Sequence, residues 1–581
     1  MKTQSIPSRS SSPESKGRDM GASSRHDVHR LIGRRAVQRW ERSVVGDLLY
    51  RLCWSMPDKE AIVGGAGAYC YPEFSRLTYR AADALANRIA NALIARGQRQ
   101  GDRLLFVCDN SVEAYVAKIG AAKAGIVCAP INPKLAEDAL DHLLTLTEPA
   151  FAIVDAEHWQ TVEAMLRRHG IEGAIIPIGG DVVPERWITF ADFVADSPET
   201  EPDVEIHADD IWQLMPTSGT TSLPKAVMQS HAYAYAAANS YVLVYTRGIR
   251  FESDLRTCVA LPLIYHATDQ AHSFPVFFAG GTLIIGRSTR ASDVAELVSG
   301  ERATALFGGS SHLLRAVADA AIAERCDLST LSLIIYTWTP VPPEVLATLK
   351  RLCGPQLLLC GHLGQTEVLA TTRFWPDKTP ETYFATAPYI NNVGVPCPYL
   401  AAAVMTEDGR LLDPNEAGQP GEVVYRTPAI ASGYYRDEAA TAAAFRDGWF
   451  HSGDCCAYDD DGMLVMLDRF KDVIKSGGEN VSSGRVEAVL ALHDAIDKAA
   501  VVGLVHPKWG EAVTAFVRLR DGECCTEEEL AAFVRQRLAR FEVPKAIRFV
   551  ESFPETVGGK VLKHLLRAEH VDLYRTEGAG R

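Results

Sequence analysis

No stretch of this chain reaches the eighteen or so uninterrupted apolar residues that crossing a bilayer requires. The best candidate, SFPVFFAGGTLIIG, is short and broken by glycines, so no transmembrane segment is expected. Surplus positive charge is missing too. Against 59 lysines and arginines stand 73 acidic residues, a net charge of -14. That balance argues against a nucleic-acid partner, whose phosphates need a basic face. No cysteine pair has C-x-x-C spacing. The thirteen cysteines are scattered, and the adjacent pairs Cys455-Cys456 and Cys524-Cys525 suit neither one metal ion nor a disulfide framework. Reduced thiols in a cytoplasmic protein are the expectation. The Ser-rich, charged N-terminus lacks the apolar core of a secretory signal, so residues 1–40 read as a disordered tail and 576–581 as a second tail. There are no internal repeats.

At 581 residues and 47% hydrophobic content, the chain is too long for one core of usual size. Between about residues 45 and 470, short apolar runs alternate with helical patterns. DRLLFVC precedes SVEAYVAKIGAAKAG, TALFGGS precedes SHLLRAVADAAIA, and LSLIIYT precedes PPEVLATLKRLC and then QLLLCGHLGQTE. Such alternation marks parallel sheets covered by helices, an α/β architecture whose ligands sit beyond the carboxyl ends of the strands. After DRFKDVIKSGG the texture changes to a smaller α+β set: KAAVVGLV, EAVTAFVRL, the helix TEEELAAFVRQRLARF with a capping box at Thr526 and Glu529, and AIRFV. The boundaries follow: a large domain over 41–468, a connection at 469–471 and a small domain over 472–575.

The run TSGTTSLPKAVMQSH is rich in hydroxyls and ends on a cation. It is not a Walker A loop, because Pro224 precedes Lys225 where that motif needs glycine. Alone it is either a polyphosphate-wrapping loop or a solvated turn. Four further stretches follow it in order: LGQTE, GWFHSGD, DRFKDVIKSGGENVSS and PETVGGKVLK. Together the five resemble the adenylate-forming superfamily, and its acyl-CoA synthetase branch in particular, over roughly residues 45 to 570.

The resemblance implies a large N-terminal domain and a mobile C-terminal lid. It implies that a carboxylate attacks ATP, releasing pyrophosphate, and that the acyl group then passes to CoA. Thr217, Ser218, Gly219, Thr220 and Thr221 would wrap the β- and γ-phosphates, with Lys225 beside them. Gly364 and Gln365 would belong to the nucleotide site, Thr366 would hold the α-phosphate and Glu367 would hold Mg²⁺. Asp454 and Arg469 would take the ribose hydroxyls, and Lys560 would reach the α-phosphate when the lid closes. His266 would lie between acyl pocket and phosphates, Trp338 would line the pocket, Lys471 would be the hinge, and Gly477 and Gly478 would let pantetheine approach. The chain departs from the family pattern at Ser222 and Ala226, where glycine is usual and a positive φ could be needed, at Leu363, and at YTWTPV.

The partners implied are a small carboxylic acid, fatty or otherwise largely apolar, with ATP and CoA, in a monomer or homodimer. No carrier domain is expected after the lid. The alternatives are loading of a separate carrier protein and an inactive nucleotide-binding homologue. Amino-acid activation needs a buried carboxylate for the substrate ammonium; Asp269 could be offered for that, but the motif that normally supplies such an aspartate is not recognisable.

Overall fold

Two sheets with parallel centres carry the large domain, and their strands fall where the apolar runs stand. In the first, Ile188–Thr189, Gly173–Ile176, Phe151–Asp155, Arg103–Val107, Val127–Pro130 and Ile211–Pro216 lie side by side, and Ala226–Ser230 closes one edge antiparallel. The second runs parallel through Glu60–Gly64, Thr282–Ile285, Arg256–Val259, Ala305–Gly309, Leu333–Thr337 and Leu358–Gln365. It then continues antiparallel through Val368–Phe374, Asn391–Pro396, Leu464–Arg469, Trp449–Tyr458, Gly421–Arg426 and Ala401–Met405. This computed structural model describes residues 42–180, 182–217, 223–337, 339–555 and 561–574. The expected tails lie outside that set.

Several of the covering helices start where hydroxyl side chains satisfy the first free backbone donors. Ser111 caps Val112–Lys123, Ser230 caps His231–Tyr245 and Ser310 caps Ser311–Glu324. The membrane candidate proves to be a short helix, Phe274–Ala279, ended by Gly280 at φ 68° and followed by the strand Thr282–Ile285. Among the described residues no helix is long and apolar enough to cross a membrane. All thirteen cysteines are free thiols.

A separate sheet begins at Ile474–Ser476, five residues beyond the last strand of the large one, and comprises that strand with Glu479–Val481, Ile496–His506, Gly510–Leu519 and Ala546–Phe549. The capping box of Thr526 and Glu529 is present. Its helix, Glu527–Arg535, is shorter than the sequence pattern suggests, because Leu538 turns back with Val534 into the core of this small sheet.

Candidate active site

In sequence, the phosphate-binding candidates fall within the connection of the hairpin formed by Ile211–Pro216 and Ala226–Ser230. Its base is locked by a reciprocal pair: Thr217 N–H donates to the Lys225 carbonyl at 2.8 Å, and Lys225 N–H donates to Thr217 Oγ1 at 3.1 Å. Thr217 thus closes the loop. Ser218, Gly219, Thr220, Thr221 and Ser222 lie outside the described residues, as do Trp338 and Lys560. Ala226 pairs with Pro216 as an ordinary strand residue with no positive φ, so replacing the usual glycine costs no backbone strain there.

A segment that the sequence reading passed over joins this hairpin to the GQTE strand end. Residues 429–435 run between Ala226–Ser230 and Val368–Phe374, bonded to one side through Met228 N–H to the Gly433 carbonyl (2.9 Å) and to the other through Ala431 N–H to the Glu367 carbonyl (2.8 Å). Tyr434 stands between the two. Its hydroxyl donates to Glu367 Oε1 at 2.8 Å, while Lys225 Nζ lies 4.6 Å from its ring centroid. Glu367 forms no ion pair among the described residues, so its charge is free for a cation. One hard carboxylate, joined through Tyr434 to the base of the Thr217–Lys225 hairpin, is a donor that fits Mg²⁺.

Thr366 is held from beneath. Its carbonyl accepts from Tyr233 Oη at 2.7 Å and Gln229 Nε2 at 3.0 Å, the first from the start of the helix His231–Tyr245 and the second from the strand Ala226–Ser230 before it. Gln365 turns the other way and donates to Asp454 Oδ2 at 2.6 Å. Asp454 and Arg469 are directly opposed on neighbouring strands, and Arg469 Nε lies 3.1 Å from Asp454 Oδ1. The two ribose candidates therefore meet each other, with Gln365 as a third member. Asp454 is 1% exposed and Arg469 33%, so a nucleotide would reach the guanidinium first.

His266 follows a loop fixed by Asn110, whose amide spans from the Leu261 and Gly286 carbonyls (2.9 and 3.0 Å) to Leu263 N–H (2.8 Å). One edge of the imidazole is open, and Nδ1 lies 2.9 Å from Thr268 Oγ1. Protein crowding pushes its pKa down to about 4. The open edge works against that shift, but on either account the ring is neutral at pH 7. Asp269 is not available for a substrate ammonium. It is fully buried and paired with Lys118, itself 2% exposed. This removes the one carboxylate that could be offered for amino-acid activation: the sequence gives no sign that Lys118, on a helix 151 residues earlier, reaches it.

Lys471 sits in the turn after Leu464–Arg469, where Asp472 N–H and Val473 N–H both donate to the Arg469 carbonyl (2.8 and 3.0 Å). Gly477 and Gly478 form the tip of the hairpin between Ile474–Ser476 and Glu479–Val481, at φ 63° and 92°. The hairpin alone demands glycine at these positions. Lys563, the lysine nearest Lys560 in sequence, is tied to Glu487 Oε1 (2.8 Å) and Ser483 Oγ (2.6 Å).

Residues 53–435 match the AMP-binding enzyme family and residues 485–560 the AMP-binding enzyme C-terminal domain. The chain belongs to the AMP-binding enzymes. Among them it is 33% identical to a feruloyl-CoA synthase from Amycolatopsis sp over 512 residues, 88% of this chain and 96% of that protein. It is 31% identical to a long-chain-fatty-acid–CoA ligase from Mycobacterium tuberculosis over 523 residues, 89% and 98% of the two chains. The solved structure of ATP-bound MatB from Rhodopseudomonas palustris shares the fold with a TM-score of 0.76 at 28% identity, covering 92% of this chain and 100% of that one. The α/β fold with a large N-terminal and a smaller C-terminal domain is thus that of the AMP-binding enzymes. Within it, the sequence signal for Tyr434 was the SGYYRD run, and nothing local tied that run to Glu367.

Proposed function

We propose that this AMP-forming acid–CoA ligase, so classed by its family and its relatives, activates a carboxylic acid with an apolar body at the site just described. The carboxylate displaces pyrophosphate from ATP to give an acyl adenylate, and the CoA thiol then displaces AMP. The observation that carries the reading is the convergence of Lys225, Glu367 and the Gln365–Asp454–Arg469 group from three separate parts of the chain. Charge grows on the phosphate oxygens as the carboxylate attacks, and fixed cations lower that barrier more than they stabilise bound ATP.

Lys225 and the hydroxyl loop would hold the β- and γ-phosphates. Mg²⁺, held by Glu367 together with substrate phosphates, would supply electrostatic stabilisation. Arg469 and Asp454 would take the ribose hydroxyls, and Lys560 would add charge at the α-phosphate when the lid closes. Neutral His266 can accept a hydrogen bond without repelling a cation, which suits a position beside the acyl carbonyl. The apolar body is supported by the aromatic walls near His266: His272 stacks flat on Phe307 at 3.6 Å, with Tyr241 edge-on at 5.3 Å.

Pyrophosphate release and acyl-CoA formation, measured over a panel of aliphatic and aromatic acids with and without CoA, test the reading. Pyrophosphate with acyl-CoA is expected for at least one class of acid. Pyrophosphate without acyl-CoA would move the assignment to carrier loading, and neither product from any acid would remove it.

A further inference from the structure

Leading away from Thr366, the sheet carries a charge that the adenylation chemistry does not use. His362 and Arg373 face each other across the antiparallel strands Leu358–Gln365 and Val368–Phe374, so both side chains leave the sheet on one side. Gly364 shares that side, where an added Cβ would meet Thr371 Cγ2 at 2.5 Å. The helix His231–Tyr245 packs above. Arg373 Nη2 donates to the Ser240 carbonyl at 2.6 Å and to its hydroxyl at 3.0 Å, and the Tyr241 ring stands edge-on to His362 at 5.2 Å.

Arg373 is 8% exposed, and its Nε is buried with no partner. No carboxylate among the described residues pairs with it. His362 is 5% exposed, and neither of its ring nitrogens has a partner. A buried cation without a counter-charge, next to an imidazole with two idle nitrogens, is costly unless something supplies the missing groups. The pair is not remote from the chemistry. His362 lies within electrostatic reach of His272, and His272 of His266. Tyr241 stands edge-on to both His272 (5.3 Å) and His362 (5.2 Å), and so joins the His266–His272 end to His362 and its strand neighbour Arg373.

We propose that Arg373 and His362 form the far end of the acyl site and that the substrate is a dicarboxylic acid, its second carboxylate held there while the first is adenylated. The inference rests on the ligase reading above. A carboxylate supplies what this pair lacks: negative charge for the guanidinium and acceptor lone pairs for Arg373 Nε–H and an imidazole N–H. A hydroxyl would satisfy the hydrogen bonds and leave the charge uncompensated. His362 is held neutral by burial and by the Arg373 charge, so it contributes one donor and no competing cation. The contacts to Ser240 use only one guanidinium nitrogen, which leaves the rest of the fork for a ligand.

The test uses the full chain with ATP, Mg²⁺ and CoA, and pairs of acids matched in length: octanoate with octanedioate, hexanoate with hexanedioate, and 3-phenylpropanoate with its 4-carboxy derivative. In at least one pair, kcat/KM for the diacid is expected to exceed that for the monoacid by roughly 100-fold. Arg373→Met should abolish that preference, chiefly by raising KM for the diacid, and Arg373→Lys should restore part of it. His362→Leu should act in the same direction less strongly. If Arg373 only clamps the helix to the sheet, both members of a pair lose equally and the proposal falls. It also falls if the parent protein prefers the monoacid in every pair, which can be read even if Arg373→Met does not fold. Thioester from none of the acids would overturn the ligase reading itself, a result distinct from thioester made without preference.

Discussion

Glu367 is a carboxylate whose side-chain partner among the described residues is a tyrosine hydroxyl rather than a cation, and that contact orients it. If Glu367 holds Mg²⁺, Glu367→Gln should cut turnover about 100-fold and flatten the dependence on Mg²⁺ while the fold is kept. Tyr434→Phe removes only the orienting hydroxyl, so it should raise the Mg²⁺ concentration needed for half-maximal rate about 10-fold with a smaller loss at saturation. A Mg²⁺ titration of the two variants and the parent checks both. Curves that superpose on the parent would take Glu367 out of the metal site. Residues marked by chain-local spacing, such as Thr366 beside Glu367 or Lys225 at the end of its hydroxyl run, could be singled out as candidates in the sequence. Lys118, Tyr434 and Arg373 could not, because each acquires its meaning from a partner brought close only by folding.

At the level of elements, the parallel strands and their covering helices could be read off the sequence because each strand is a short apolar run followed by a longer helical pattern, and several of those helices open on a capping hydroxyl. The antiparallel pair Leu358–Gln365 and Val368–Phe374 was harder. Its second strand, VLATTRF, is buried at every position yet carries an arginine and two threonines, so alternation gives no hint of which face is which. His362 on the first of these strands, together with His272 from Asp269–Ser273, should make the fold acid-sensitive. Burial holds both His362 and His272 well below the usual histidine range, so the folded protein leaves them neutral while the unfolded chain takes up protons below about pH 6.5. The unfolded state then binds more protons, and stability falls as pH drops through that value, by about 1.4 kcal/mol per pH unit for each histidine. His362→Asn removes one of the two. Urea unfolding of parent and variant between pH 5 and 8 should show a shallower acid loss in the variant and no difference in slope above pH 7. Parallel curves throughout would mean that His362 does not stay neutral in the folded state.

For the molecule as a whole, the issue is how two domains share one reaction. The strand Leu464–Arg469 belongs to the large sheet and Ile474–Ser476 to the small one, leaving a turn around Lys471 between them. On its near side, Asp468 Oδ2 accepts from the Ser483 N–H (2.7 Å) and hydroxyl (2.6 Å), which pins the first helix of the small domain. On its far side, Arg567 Nη2 holds Asp472 Oδ1 at 2.8 Å. Rotation about Lys471 would have to release the Asp468 contacts and could carry the Asp472 contact along, so we place the hinge between the two. Proline at Lys471 fixes φ and removes a donor, which should trap the small domain in one orientation. If that orientation is the adenylating one, Lys471→Pro should release pyrophosphate at a near-normal single-turnover rate, accumulate acyl-AMP on the enzyme and form little acyl-CoA. Rapid-quench measurement of both products in parent and variant decides it. Equal loss of the two would mean that the turn matters for folding, or that the chain swivels at another residue between Arg469 and Val473.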